Sequence, residues 1–267
     1  MIKSSTAVKI SVILPAYNCE SFISSAIECV INQTEEFLEL IIVDDFSTDN
    51  TKAIIDEYSQ KDDRIRSVFL DRNSGGPAKP RNIGLAMAKG KYVSFIDADD
   101  LWHREKISLQ LNAMEKYDLG FSCTKVMKFK DTAVISSFLE QHSSPLELIN
   151  LQTLLKKNII AMSSVVIDLD KVKKITFSEC KEHVAVEDYL AWLEIHQMDG
   201  LQSARLNLPL THYRIRKDSI SRSKFIMAVK VFNLLSKIKI NGKKLGVKRF
   251  YYFFTYMIGS YQSKMYS

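Results

Sequence analysis

No uncharged apolar run in these 267 residues reaches the roughly 18 residues a membrane-spanning helix needs, so no spanning segment is expected. Nor does Met1 to Thr6 hold the apolar stretch of a signal peptide. Cysteine is scarce, and Cys19, Cys29, Cys123 and Cys180 show neither paired nor zinc-finger spacing. That excludes a disulfide scaffold and leaves the expectation of small buried hydrophobes in a reducing, cytoplasmic compartment. Nine glycines and five prolines are too few for a fibrous or low-complexity chain, and only Gly75 and Gly76 are adjacent. There is no internal repeat.

Acid is missing from one end. After Asp218 there is no Asp or Glu, while ten lysines and arginines run from Arg222 to Lys264. With a net charge of +6 overall, the first 218 residues carry about −4, so the basic character belongs to the tail. The length suits one α/β domain with a smaller appendage.

What is present is an alternation of strand-like and helix-like segments. Lys9 to Leu14 is a β-rich run closed by Pro15, and Glu20 to Ile31 places Phe22, Ile23, Ala26, Ile27 and Val30 on one helical face. Leu38 to Val43 runs into Asp44-Asp45-Phe46-Ser47-Thr48-Asp49, where Ser47 or Asp49 can cap a helix over 50–59. Ile65 to Leu70 reads as a strand, followed by Asn73-Ser74-Gly75-Gly76-Pro77 and a helix over 78–89 that carries Lys79 and Arg81. Two glycines let backbone approach a ligand, and a helix start attracts anions.

Tyr92 to Ile96 is then a buried strand that empties into Asp97, Asp99 and Asp100, with a helix beginning near His103. Three carboxylates past a strand end repel one another unless a cation or a donor-rich ligand compensates, and such oxygen ligands suit Mg2+ or Mn2+ bridging to phosphate. Beyond Tyr117 the spacing predicts strands over 121–129, 133–138, 163–167 and 208–215. It also predicts a helix from Ser144 or Pro145 to Lys157 and another opened by Glu187-Asp188. The pattern implies a mostly parallel sheet with helices on both faces, whose ligands collect at the strands' carboxyl ends.

These motifs in this order resemble the family-2 glycosyltransferases of the GT-A fold, of the bacterial surface-polysaccharide type. The matching pieces are Val12 to Asn18, Ile42 to Thr51, Gly75 to Gly84, Phe95 to Trp102 and Glu187-Asp188, together covering residues 9 to about 221. Two positions depart from the family pattern. Arg104 replaces a helix-start proline, and the Tyr-Arg-x-His turn appears as Tyr213-Arg214-Ile215-Arg216, whose arginine is able to meet phosphate directly.

The resemblance implies that Pro15, Ala16 and Tyr17 flank a nucleotide base, uracil above all, with Asp45 hydrogen-bonding it. Arg81 is implied beside the diphosphate with Lys79 in support. Asp97 and Asp99 are implied to serve ribose and metal, Asp99 as the ligand of Mg2+ or Mn2+, with Asp100 supporting them. Asp188 is the implied base, raised by Glu187. The implied reaction is inverting transfer of a hexose or N-acetylhexosamine from a UDP-sugar to a saccharide acceptor, lipid-linked in surface-polysaccharide biosynthesis.

On this reading residues 1–221 form the catalytic domain, with a nucleotide-sugar half over about 9–117 and an acceptor half over about 118–221. Residues 222–267 form a basic amphipathic helical tail. Its aromatic and aliphatic residues among lysines suit an anionic membrane surface, making the protein peripheral at the inner face of the cell membrane. No nucleic-acid partner is expected, because so many large apolar residues accompany the charge. Three other readings explain less: a haloacid-dehalogenase-like phosphatase through Asp97-Ala98-Asp99, a receiver-like domain through Ile41 to Asp45, and a nucleic-acid binder through the tail.

Overall fold

The computed structural model describes residues 8–129, 146–215 and 224–265. β1 (Ile10–Ala16) and β2 (Leu38–Asp44) are buried at every position, as strands covered on both faces must be. Between them α1 (Ile23–Ile31) buries Ile23, Ala26, Ile27 and Val30, the stripe its sequence spacing predicts. α2 (Thr51–Lys61), β3 (Ile65–Phe69), α3 (Ala78–Met87) and β4 (Tyr92–Phe95) continue the alternation. These four strands pair in parallel in the order β3-β2-β1-β4. The turn into β4 needs glycine, because a Cβ on Gly90 would sit 2.7 Å from the backbone nitrogen of Ser11.

The second half is mixed. β5 (Leu101–Trp102), α4 (Lys106–Lys116), β6 (Phe121–Phe129), β7 (Glu147–Leu148), α5 (Leu151–Lys156), β8 (Val166–Asp168), α6 (Glu187–Ile195) and β9 (Ser203–Arg214) follow. The sheet extends as β4-β8-β6-β9-β5, with β7 also on β9. Here β6 and β9 are parallel, while β4–β8, β6–β8, β5–β9 and β7–β9 are antiparallel.

Several boundaries differ from the sequence expectation. The helix expected from Ser144 or Pro145 begins at Leu151, because Asn150 caps it by accepting from the Thr153 amide at 2.9 Å while Glu147 and Leu148 pair with β9. Ser144, Pro145 and the strand expected over 133–138 lie outside the described residues. The strand expected from Ser163 begins at Val166, since Met162–Ser164 coils into a 3-10 turn that aims Ser163 at the acidic loop. The helix expected near His103 starts at Lys106, because the His103 amide donates to Leu210 O at 2.9 Å and prolongs the sheet edge. β9 starts at Ser203 rather than Leu208, its longer pairing with β6 absorbed by an irregularity between Thr124 and Val126. Cysteine burial is also uneven: Cys19 and Cys123 are buried, Cys29 is half-buried and Cys180 is exposed.

Side chains alternate across the sheet, so Ile10, Val12 and Leu14 of β1 join one core and Ile13 joins the other. The first of these cores holds α1 and α4. The second gathers Phe95, Phe121, Phe177 and Trp192, with edge-on ring pairs at 5.2 to 6.0 Å.

The basic tail closes over that second core as α7 (Lys224–Lys237), a small hairpin of β10 (Lys239–Ile240) and β11 (Lys243–Lys244), and α8 (Lys248–Met265). Val231, Leu234, Leu235 and Ile238, spaced three, four and seven residues apart, are buried within it. Tyr252 of α8 donates to Gln152 Oε1 at 2.9 Å. Among the described residues no helix is long and apolar enough to cross a membrane.

Candidate functional site

The loops after β1 and β2 are knotted together by hydrogen bonds. Asn18 and Phe46 both take left-handed backbone, at φ 44° and 67°, a conformation that a phenylalanine adopts only when its surroundings impose it. The Asn18 amide donates to Ser47 Oγ at 2.9 Å, the Thr48 amide to Asn18 Oδ1 at 2.8 Å, and Ser47 Oγ to Asp44 Oδ1. Neither expected residue is the N-cap, which is Asn50 with no side-chain capping bond; Asp49, one position earlier, accepts the Thr51 amide at 3.0 Å, while Ser47 serves Asp44. Pro15 and Ala16 end β1 as buried backbone, and Tyr17 stands half exposed on the rim.

Asp45 is buried and accepts both the Ser74 amide and the Ser74 hydroxyl at 2.8 Å. It thereby ties the β2 end to the glycine loop, where Gly75 takes φ 84°. Burial raises its pKa above the ordinary value, partly offset by the two Ser74 bonds.

The acidic loop after β4 is held from three sides. Ser163 Oγ donates to Asp100 Oδ2 at 2.6 Å and accepts the Asp97 amide at 3.0 Å, while its carbonyl receives Trp102 Nε1 at 2.7 Å. The Arg214 amide donates to Asp100 Oδ1 at 3.1 Å and its Nε to the Asp99 carbonyl at 2.9 Å. The guanidinium of Arg214 lies 4.9 Å from the Phe22 ring centre and 4.4 Å from that of Phe129. Asp100 is thus a buried brace. Burial, then the neighbouring Asp97 and Asp99, push its pKa well above the carboxylate range.

Arg81 joins this loop to the start of α6. It is buried, with Nη2 2.7 Å from Asp97 Oδ1 and Nη1 2.9 Å from Glu187 Oε1. Asp188 follows, half-buried, its Oδ1 accepting the Tyr189 amide at 2.7 Å. Its pKa is raised to about 7, by burial first and by the Glu187 carboxylate second, against the pull of Arg81. A carboxyl group so placed can take up a proton near neutral pH.

The structure therefore brings Arg81, Asp97, Glu187 and Asp188 into one cluster and sets Asp99 and Asp100 beside it. Lys79 is half-buried two residues before Arg81, and its charge acts on Asp45. Arg216 lies outside the described residues. Sequence reasoning missed Ser163, Ser74 and the bracing role of Arg214. No local signal marks Ser163, which is 63 residues from Asp100. It also missed Lys106, fully buried 4.0 Å from the Trp102 ring centre, where burial holds its pKa well below the lysine range.

Whether a divalent cation fits can be judged from the donors. Among the described residues no three His, Cys, Asp or Glu side chains converge on one point. Asp100 is committed to Ser163 and Arg214 and Asp97 to Arg81, and Asp99, the ligand that the family resemblance implies, stands in the same loop. Such a sparse oxygen set suits Mg2+ or Mn2+, which take one or two carboxylates and complete their shell with phosphate and water.

Comparison with known proteins agrees with this geometry. The model of "Glycosyl transferase family 2" matches residues 11–166. The Escherichia coli UDP-Glc:alpha-D-GlcNAc-diphosphoundecaprenol beta-1,3-glucosyltransferase WfaP is 37% identical over 244 residues, 91% of this chain and 92% of that protein. Among solved structures, Staphylococcus aureus TarS 1-349 in complex with UDP-GlcNAc superposes with a TM-score of 0.67 at 22% identity, over 88% of this chain and 68% of that one. The Pyrobaculum calidifontis mannosyltransferase PcManGT, solved with GDP-Man and Mn2+, gives 0.63 at 17% identity, over 86% and 63%. At these identities the two structures speak for the fold alone, the α/β GT-A architecture. Neither the phosphatase nor the nucleic-acid reading gains support. With more than half its length under the family model and a relative above 30% identity along nearly the whole chain, this protein belongs to glycosyltransferase family 2.

Proposed function

We propose that the protein is a metal-dependent inverting hexosyltransferase that moves a sugar from a UDP donor to a hydroxyl of a lipid-linked saccharide. One observation carries the reading: Arg81 ties Asp97 of the acidic loop to the Glu187-Asp188 helix start, so a donor-binding carboxylate and a base share one cluster. The roles are those the family resemblance gives. Pro15, Ala16 and Tyr17 flank the nucleotide base, Asp45 hydrogen-bonds it, and Asp97 serves the ribose. Asp99 holds Mg2+ or Mn2+, which when bound supplies positive charge for the leaving diphosphate. Residues 9–117 make the donor half and residues 118–221 the acceptor half.

An acceptor hydroxyl is a poor nucleophile, so Asp188 takes its proton as the oxygen attacks the anomeric carbon. Attack opposite the diphosphate inverts that centre, and the reading assigns Lys79 and Arg216 as cationic support for the departing diphosphate. The WfaP name points to glucose as the sugar and a diphosphoundecaprenol-linked acceptor as its recipient.

Such an acceptor resides in a membrane. The outer face of the tail suits that surface: Phe225, Val247, Phe254 and Ile258 are 79, 83, 63 and 59% exposed beside Lys243, Lys244, Lys248 and Arg249. We place the protein at the cytoplasmic face as a peripheral enzyme.

The test is a reaction with a panel of UDP- and GDP-sugars, a synthetic diphospholipid-linked GlcNAc acceptor and Mn2+ or Mg2+. Expected are release of UDP from one UDP-hexose and an inverted anomeric configuration by NMR. Retention of configuration, or turnover unchanged by chelator, would overturn the mechanism. Flotation with anionic vesicles at low salt tests the tail, and failure to float removes the membrane assignment.

A further inference from the structure

The turn that delivers Asp188 is fastened to the tail. Lys181–His183 form a single 3-10 turn, and the Val186 amide donates back to His183 O at 2.8 Å. Between them Ala185 takes φ 70°, a left-handed conformation that crowds its Cβ. Such a residue persists where neighbouring contacts over-determine it. The Val184 carbonyl just before it receives Lys230 Nζ of α7 at 2.5 Å. The helix is anchored at this point, since the next residue, Val231, is fully buried in the core.

A second tie, Lys237 to Glu182, has side chains 61 and 70% exposed and contributes little in water. On its other side the Val184 side chain stands over the glycine loop. A Cβ built on Gly76 would meet Val184 Cγ2 at 3.6 Å.

From these contacts we propose that Lys230 is a positioning residue for catalysis. Through the Val184 carbonyl it holds the 181–186 turn in the one arrangement that places Asp188 against the donor side. Lys230 is then spent inward, and the outward charge of the tail is carried by other lysines. The inference rests on the assignment of Asp188 as the base.

The test uses the full chain and three variants, Lys230→Met, Lys230→Arg and Ala185→Val, with Asp188→Asn alongside. Lys230→Met is expected to lower kcat about tenfold while leaving donor KM and UDP affinity within twofold, and to speed amide exchange at Val184 and Val186. Lys230→Arg, which can still donate to the carbonyl, should recover most of the loss. Ala185→Val, whose β-branched side chain disfavours φ 70°, loosens the same turn without touching α7 and should lower kcat likewise, which keeps the inference open to refutation if Lys230→Met does not fold.

A folded Lys230→Met with unchanged kcat and unchanged exchange overturns the proposal, as does a fall confined to donor KM. Near-normal turnover in Asp188→Asn would instead overturn the base assignment. The exchange at Val184 and Val186 would still decide whether Lys230 holds the turn.

Discussion

Replacing Asp188 by Asn should weaken catalysis and strengthen the fold, in a way that depends on pH. The Asp188 carboxyl has its pKa raised to about 7, whereas an exposed aspartate in the unfolded chain titrates near 4. A raised folded value means that the stabilising contribution is complete below about 4 and is lost as pH rises through about 7. At pH 8 the group is ionised in a half-buried place beside Glu187. The gap of about three pH units sets a ceiling near 4 kcal/mol, and access to solvent reduces the realistic cost to about 1–2 kcal/mol.

Asn has nearly the same shape and no charge to bury. Melting temperature should therefore rise by roughly 2–6 °C at pH 8 for a chain of this size, by about a third of that at pH 5, where the unfolded carboxyl is already ionised, and not at all below about pH 3, where both states are protonated. Over the same change turnover should fall about a hundredfold or more, with UDP affinity intact. Differential scanning calorimetry at these pH values, with single-turnover kinetics and titration of UDP, reads all three quantities. A variant that melts lower at pH 8, or that keeps near-normal turnover, would refute the electrostatic account.

Other outcomes follow from the same contacts. Asp99→Ala should remove most of the difference in UDP affinity measured by calorimetry with and without chelator, if Asp99 holds the cation as proposed. Asp100→Ala strips Ser163 and the Arg214 amide of a buried acceptor and should cost about 2–4 kcal/mol in urea unfolding, besides loosening donor binding. Arg81→Met leaves Glu187 and Asp97 without their cation in a buried site, and about 3–5 kcal/mol should be lost, enough to threaten folding. Serine in place of Phe225 and Phe254, both on the outer face, should leave melting unchanged while weakening vesicle flotation.

The parts of the fold legible in the sequence were those whose cause is local. Strand and helix periods carried the β1 to β4 alternation, and carboxylates at strand ends marked Asp45, Asp97 and Asp99 before any contact was known. The acceptor half was read less well because its elements answer to distant partners. Ser163 leaves strand geometry in order to reach Asp100, and Glu147-Leu148 leave a helix-like context to pair with β9. Arg81 stands near a helix start, where sequence reasoning places it beside an anion. Its observed partners are two carboxylates, one of them 106 residues away. A spacing rule cannot see such a contact.

The tail shows the same division within single helices. Its sequence reads as one amphipathic basic surface, and its burial separates a core-facing side from an exposed one. Val231, Leu234, Leu235 and Ile238 supply the core, each worth roughly 1.5–3 kcal/mol when fully buried. Together they rival the whole 5–15 kcal/mol by which a domain is stable, so a chain cut after Ser221 should not retain its fold. Phe225, Val229 and Phe254 face outward, and their removal should spare the core. Lys230 of α7 also donates to the Val184 carbonyl, so the helix that supplies these core residues is tied to the chain four residues before Asp188.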